Sequence, residues 1–184
     1  MYDYDEYVMK FWDKFTKVVV RPERVRKIEE HLPILLAAKK KEKLHQIDDG
    51  QEYKRHMTGY LGEAAVEQLL GVRITNWSIG NSVNYNTPDI QGYRIGIKTA
   101  EKGNFHTIFK HNDYPQIMCI RDMSTSNEIM ICGLATSRVL NTYQDTSLIK
   151  NPKLAARGVK TGFYGYEYLI PVKSISDISR YRRR

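Results

Sequence analysis

Cysteine is scarce. Cys119 and Cys132 are the two cysteines in 184 residues, each inside an apolar stretch with no second cysteine close by. That scarcity disfavours a disulfide-framed secreted module and a zinc site built on clustered thiolates, and the expectation is two buried free thiols. Long apolar runs are missing as well. A spanning helix needs roughly 20 consecutive apolar residues, so membrane insertion is not expected. The first six residues are acidic and Tyr-rich rather than basic and then apolar, and a cytoplasmic protein is the resulting expectation. Internal repeats and low-complexity linkers are absent too, which removes solenoids and extended tails.

Charged residues make up 27% and hydrophobic residues 41%, a balance that suits one globular domain and excludes a collagen-like or wholly disordered chain. The net charge of +8 is unevenly distributed. Residues 150–184 carry nine basic and two acidic side chains, an excess of +7, whereas residues 1–149 sum to +1. The carboxyl end closes with Arg180, Arg182, Arg183 and Arg184, a cluster whose forked donors and charge suit phosphates. A second basic run, Lys39 to Lys41 and Lys43, is offset by Glu42, Asp48 and Asp49 and is a weaker nucleic-acid signal.

The apolar spacing predicts helices first and strands later. Val8, Phe11, Trp12 and Phe15 recur at helical spacing and predict one amphipathic helix over residues 7–19. Pro22 suits the first turn of a second helix, Pro33 is expected to divide that helix from the 34–44 segment, and Asp49-Gly50 reads as a stop. A helix over 52–70 follows, ended by Gly71, with Met57, Tyr60, Leu61, Ala64, Ala65 and Leu69 on its apolar side. Gly59 and Gly62 each weaken that helix by about 1 kcal/mol relative to Ala, which makes sense if another element passes close by.

After Gly71 the period changes to two. Strands are expected over 82–85, 93–99, 116–121 and 128–134, with a short helix over 136–141, a Tyr-rich last strand over 163–170 and a short helix from about Ser174. Continuous apolar runs such as Ile117 to Ile120 suit strands buried on both faces. The fold class is therefore α/β: a mixed central sheet flanked by helices, with an N-terminal helical extension over 1–50, a core over 51–173 and a basic tail over 174–184.

One segment concentrates chemistry. Pro88-Asp89 precedes a Gly turn and then a strand in which Ile95 and Ile97 face one way and Gly96 and Lys98 the other. A lysine on a core strand needs compensation, which Asp89 can offer. Glu63, on the preceding helix, adds a second carboxylate. Oxygen ligands of this kind, with the backbone carbonyl of Ile97, suit Mg²⁺ or Mn²⁺ better than zinc.

Together, Gly59-Tyr60-Leu61-Gly62-Glu63, Pro88-Asp89 and Gly96-Ile97-Lys98 resemble the PD-(D/E)xK nuclease superfamily, the restriction-endonuclease-like fold, over roughly residues 59–170. The resemblance implies that Glu63 and Asp89 hold Mg²⁺ or Mn²⁺, that Lys98 serves the reaction, and that DNA is the substrate, in a bacterial cell or a phage-infected host. The chain departs from the family at Gly96, where an acid is usual; Glu101 or Glu67 are the alternative third acids. Metal-dependent DNA cleavage, endo- or exonucleolytic, is the leading expectation. The alternative is an inactive nuclease-fold protein that binds DNA or acts in phage or host assembly.

Thr99, Lys102, His106, Lys110 and Lys160, with the terminal arginines, are the candidate DNA contacts. A homodimer is a further expectation, because cutting two strands takes two sites. His106, His111 and Asp113 lack a strong zinc spacing. Phe163, Tyr164, Tyr166 and Tyr168 suit either base stacking or core packing.

Overall fold

The computed structural model describes residues 2–41, 49–77, 89–90 and 92–183. The strand expected over 82–85, Pro88, Lys43 of the second basic run with Glu42 and Asp48, and Arg184 lie outside these residues.

Helix α1, Tyr4–Val8, starts where the Asp3 carboxylate accepts the Glu6 N–H at 3.0 Å. It passes into a 3₁₀ helix, Met9–Lys14, and then into strand β1, Thr16–Val19. The single helix expected over 7–19 therefore ends early. Thr16, Val18 and Val19 are β-branched, and β1 pairs antiparallel with β5, Glu128–Ala135, setting Val18 opposite Ile129. Partners more than 100 residues away outweigh the local helical spacing.

Helix α2, Pro22–Lys41, runs through Pro33 instead of breaking there. Pro33 faces solvent, so the carbonyl freed four residues earlier can reach water, while Ile28, Leu32 and Leu35 stay buried on both sides of it. Helix α3, Asp49–Leu70, opens at the Asp-Gly pair that reads as a stop; Asp and Gly favour helix starts as well as turns. Gly71, at φ +67°, ends α3 as expected.

Strand β2, Gly96–Glu101, lies parallel to β4, Gln116–Arg121, and β4 lies antiparallel to β5. The central mixed sheet has the order β1-β5-β4-β2. A second antiparallel sheet has the order β3-β7-β6, from His106–Phe109, Lys160–Phe163 and Gln144–Asp145. Short helices α4, Ser137–Thr142, and α5, Pro152–Ala156, complete the chain with a 3₁₀ helix at Ile175–Tyr181. The last strand is shorter and earlier than expected: β7 ends at Phe163, and Tyr166–Tyr168 is a 3₁₀ turn.

Alternation along the strands sorts the core into two layers. Ile97, Ile117, Cys119, Ile129 and Ile131 pack with Ile28, Leu32 and Leu61 of α2 and α3. Met118, Ile120 and Met130 point the other way, toward Phe15, Ile108 and Phe163. The result is a mixed α/β fold with helices on the central sheet and a helical segment at the N-terminus. Both cysteines are buried free thiols. Among the described residues no helix is long and apolar enough to cross a membrane.

Helix α3 meets β2 at Gly62. A Cβ there would stand 1.8 Å from the Thr99 hydroxyl oxygen, whereas one at Gly59 would meet nothing within 4 Å. Gly62 thus lets α3 lie against the edge strand. Gly62→Ala is expected to cost about 1–3 kcal/mol by urea unfolding, and Thr99→Ala in the same chain to recover part of it. An unchanged unfolding midpoint for Gly62→Ala would show that the approach is looser than described.

Candidate functional site

Among the described residues β2 is an edge strand of the central sheet, and the site forms along that edge. Gly96 N–H bonds to the Pro115 carbonyl at 3.0 Å, on the β4 side, whereas Ile97 N–H donates to Asp89 Oδ2 at 2.5 Å on the other. In an extended strand the two backbone polar groups of a residue point the same way, so the Ile97 carbonyl also faces the Asp89 edge. The turn that presents Asp89 is closed by Ile90 N–H to the Ile95 carbonyl at 3.3 Å and Tyr93 N–H to the Ile90 carbonyl at 3.0 Å.

The C-terminal segment fastens the same turn. Arg183 N–H donates to the Gly92 carbonyl at 2.8 Å, Arg94 N–H to the Tyr181 carbonyl at 3.1 Å, and Tyr93 bridges to Arg182. Arg182 and Arg183 are exposed beside the Asp89 turn, and Arg180 stacks over Tyr181 at 4.9 Å.

Two cavities adjoin through Ile97 and Lys98. The smaller, about 340 Å³, is lined by Asp89, Gly96, Tyr114 and Gln116 among others. The larger, about 780 Å³, is lined by Glu63, Arg55, Lys54 and Lys160 among others. Glu63 approaches from the α3 face of the sheet, Lys98 stands on the opposite face, and the cleft wraps the strand edge between them.

The charges interact across this cleft. Burial, then the nearby Asp89 and Glu67 carboxylates, push the Glu63 carboxyl up to about 8. Asp89 retains solvent contact, yet it sits in a concave wall where burial raises its carboxyl pKa, opposed by the Ile97 N–H and the Lys98 ammonium. Lys98 is lowered by burial, an effect Asp89 opposes and Arg55 reinforces. Burial, then Lys98 and Arg55, bring Lys160 down to about 7. Lys160 Nζ lies 3.0 Å and Lys98 Nζ 5.8 Å from the centre of the Phe109 ring. Among the described residues, no ion pair within 4 Å neutralises Glu63, Asp89, Lys98 or Lys160.

The alternative acids are engaged elsewhere. Glu67 pairs with Arg24 and accepts the N–H groups of Ile74 and Thr75 at 2.9 and 3.1 Å, which hold its carboxyl below the usual range despite burial. Glu101 lines the larger cavity but pairs with Lys54 at 2.8 Å. Among the described residues, no group of three or more His, Cys, Asp or Glu side chains is placed to hold a metal ion.

Of the candidate DNA contacts, Thr99 and Lys160 line the larger cavity, and His106 is corrected. His106 is fully buried between the Tyr166 hydroxyl at 2.7 Å and the Cys119 carbonyl at 2.6 Å. Its imidazole couples the two sheets and does not meet solvent. The Thr99 hydroxyl is enclosed against Gly62 with no hydrogen-bond partner. Lys102 pairs with Asp122 at 3.1 Å and covers the Trp12 ring at 4.6 Å, away from the cleft. Lys110 lines neither cavity. Phe163 and Tyr166 belong to the core, whereas Tyr168 is exposed and stacks on Tyr143 at 4.1 Å.

Arg55, Phe109 and Gln116 escape the sequence reading, because only the folded sheet edge brings them to Lys98. No family model, curated protein or solved structure matches the chain.

Burial holds His106 near 4, below the value of about 6.5 of a free imidazole. Its contribution to stability is full above pH 6.5 and is lost progressively as the pH falls toward 4, because the unfolded chain then binds the proton that the folded chain refuses. In a pH titration followed by NMR, the His106 ring signals are expected to stay fixed between pH 7 and 5. A midpoint near 6.5 would contradict the burial.

Proposed function

We propose that the chain is a divalent-metal-dependent deoxyribonuclease of the PD-(D/E)xK, restriction-endonuclease-like type. The observation that carries this reading is the meeting of Glu63, Asp89 and Lys98, from a helix, a turn and a strand, along two adjoining cavities where burial shifts all three and Asp89 acts on both of the others. Buried titratable groups lining a cleft without ion pairing support a working site over a structural network.

The residues fit a hard cation. Asp89 at the β2 edge, Glu63 on α3 and the Ile97 carbonyl are oxygen donors, a set that suits Mg²⁺ or Mn²⁺ and not zinc. When bound, the ion would supply Lewis-acid polarisation of the phosphodiester and a water more easily deprotonated at neutral pH. Glu63 and Asp89 would hold it. Lys98 would orient the attacking water or offset the negative charge that grows on the phosphoryl oxygens. Lys160, Arg55, Arg182 and Arg183 would grip the phosphate backbone.

The second reading, a DNA-binding relative without activity, has one specific support: Gly96 leaves the strand with no acid beside Asp89. The test is incubation of the purified chain with linear, nicked, branched and single-stranded DNA in Mg²⁺ or Mn²⁺. Cleavage that requires Asp89 and Lys98 is the expected result. Salt-sensitive binding without cleavage of any substrate would select the second reading, and no binding at low salt would discard both.

A further inference from the structure

We propose that the side-chain amide oxygen of Gln116 supplies the third side-chain oxygen donor, beside Asp89 and in place of the carboxylate that Gly96 lacks. The inference rests on the metal-dependent reading above and concerns what completes that site.

Gln116 is the partner of Gly96 across the parallel β2–β4 pair, so the two residues present their side-chain positions to the same face. A Cβ placed on Gly96 would stand 3.1 Å from Tyr114 Cε2, 3.4 Å from Asp89 Oδ2 and 3.5 Å from Gln116 Cγ. The space a side chain at position 96 would take is therefore bounded by Asp89, Gln116 and the Tyr114 ring. A donor reaching in from the neighbouring strand can serve the region that a residue on β2 would have served.

The amide is oriented with its oxygen free. Gln116 is 8% exposed, and its Oε1 is buried without a hydrogen-bond partner. Its Nε2 donates to Asn112 Oδ1 at 3.2 Å. That oxygen is fixed as an acceptor because Asn112 Nδ2 donates to the Phe109 carbonyl at 2.7 Å and to Asn141 Oδ1 at 3.2 Å. Asn141 Nδ2 in turn donates to the Asn112 carbonyl at 3.1 Å. Flipping the Gln116 amide would set two oxygens against each other, so this network selects the rotamer.

Leaving a buried amide carbonyl unpaired is unfavourable unless something else meets it. Gln116 and Asp89 line the same cavity of about 340 Å³, which has room for a hydrated cation. Amide carbonyls are accepted ligands of hard divalent cations, and a neutral donor lowers the negative charge the site must hold before the ion arrives. That matters here, where Glu63 and Asp89 already repel each other.

The test is Mn²⁺ binding by the full chain, read as loss of the free-ion electron paramagnetic resonance signal, with folding in EDTA followed by thermal melting. Gln116→Met keeps the volume and removes the oxygen; it is expected to weaken Mn²⁺ binding at least about tenfold. Gln116→Glu restores an oxygen and adds charge, so it is expected to bind more tightly than the parent chain. Asp89→Asn is expected to bind far more weakly than either, with saturation only at excess Mn²⁺. If Gln116→Met binds as the parent does while Asp89→Asn does not, the role of Gln116 is overturned and the nuclease reading stands. Should Gln116→Met fail to fold, unchanged or weaker binding by Gln116→Glu overturns the role equally. A parent chain that takes up no Mn²⁺ overturns both.

Discussion

Asp89→Asn and Lys98→Met are each expected to lower Mg²⁺-dependent DNA cleavage by about 10²–10³-fold or more, with little change in fold. The two substitutions act on different quantities. On the proposed reading Asp89→Asn removes a charge that would hold the metal, so excess Mn²⁺ should restore part of the activity. Lys98→Met leaves the acids in place and removes the only ammonium on β2 beside them, so higher metal concentration should restore nothing. The pH profile separates the roles further. Burial lowers the Lys98 pKa, and activity that depends on a protonated Lys98 should decline on the alkaline side earlier than an ordinary lysine would permit. Cleavage that survives both substitutions would remove the mechanism.

The second large effect concerns stability. Glu63→Gln should make the protein more stable at pH 9 in EDTA while abolishing cleavage. With the Glu63 carboxyl raised to about 8 from 4.5, the folded chain holds a proton that the unfolded chain has released. The stability tied to that proton is complete below pH 4.5 and is lost as the pH rises to 8. At pH 9 the parent chain carries a buried charge that glutamine does not, a difference of about 2–5 kcal/mol. Below pH 4.5 the two chains should unfold alike. Added Mg²⁺ should narrow the gap at pH 9, because a cation favours the charged carboxylate of the parent and has less to gain from the amide. Equal urea midpoints at pH 9 would show that Glu63 is better solvated than its surroundings indicate.

Both expectations trace a site that costs the fold something. Acids crowded at one strand edge, an enclosed Thr99 hydroxyl and a Gln116 oxygen without a partner among the described residues are local losses, and a wholly structural sheet edge would have little reason to retain them. The cations that face them, Lys98, Lys160 and Arg55, repel one another in the same way. An anionic backbone entering the larger cavity would relieve that repulsion.

Much of the architecture is legible in residue order. The switch from helical to two-residue spacing after Gly71, the continuous runs 117–120 and 129–132, the short helix near 136–141 and the stop at Gly71 all depend on neighbours within a few positions, and the described elements agree with them. Alternation along 93–99 likewise assigns Ile97 and Lys98 to opposite faces without further information. Where local signals serve two outcomes, the sequence reading fails: Asp49-Gly50 starts a helix instead of ending one, Pro33 sits inside α2, and Thr16 to Val19 become a strand.

Chain chemistry alone established the mixed α/β class, the basic carboxyl end and the candidacy of Glu63, Asp89 and Lys98, because those follow from side-chain type and short-range spacing. Tertiary structure alone decided that His106 is buried, that Glu67 is committed to the loop after α3, that Arg182 and Arg183 lie beside the Asp89 turn, and that Gln116 stands opposite Gly96. These outcomes depend on strand register and on contacts between residues far apart in the chain. No local propensity encodes a pairing whose free energy comes from surfaces that meet only after folding.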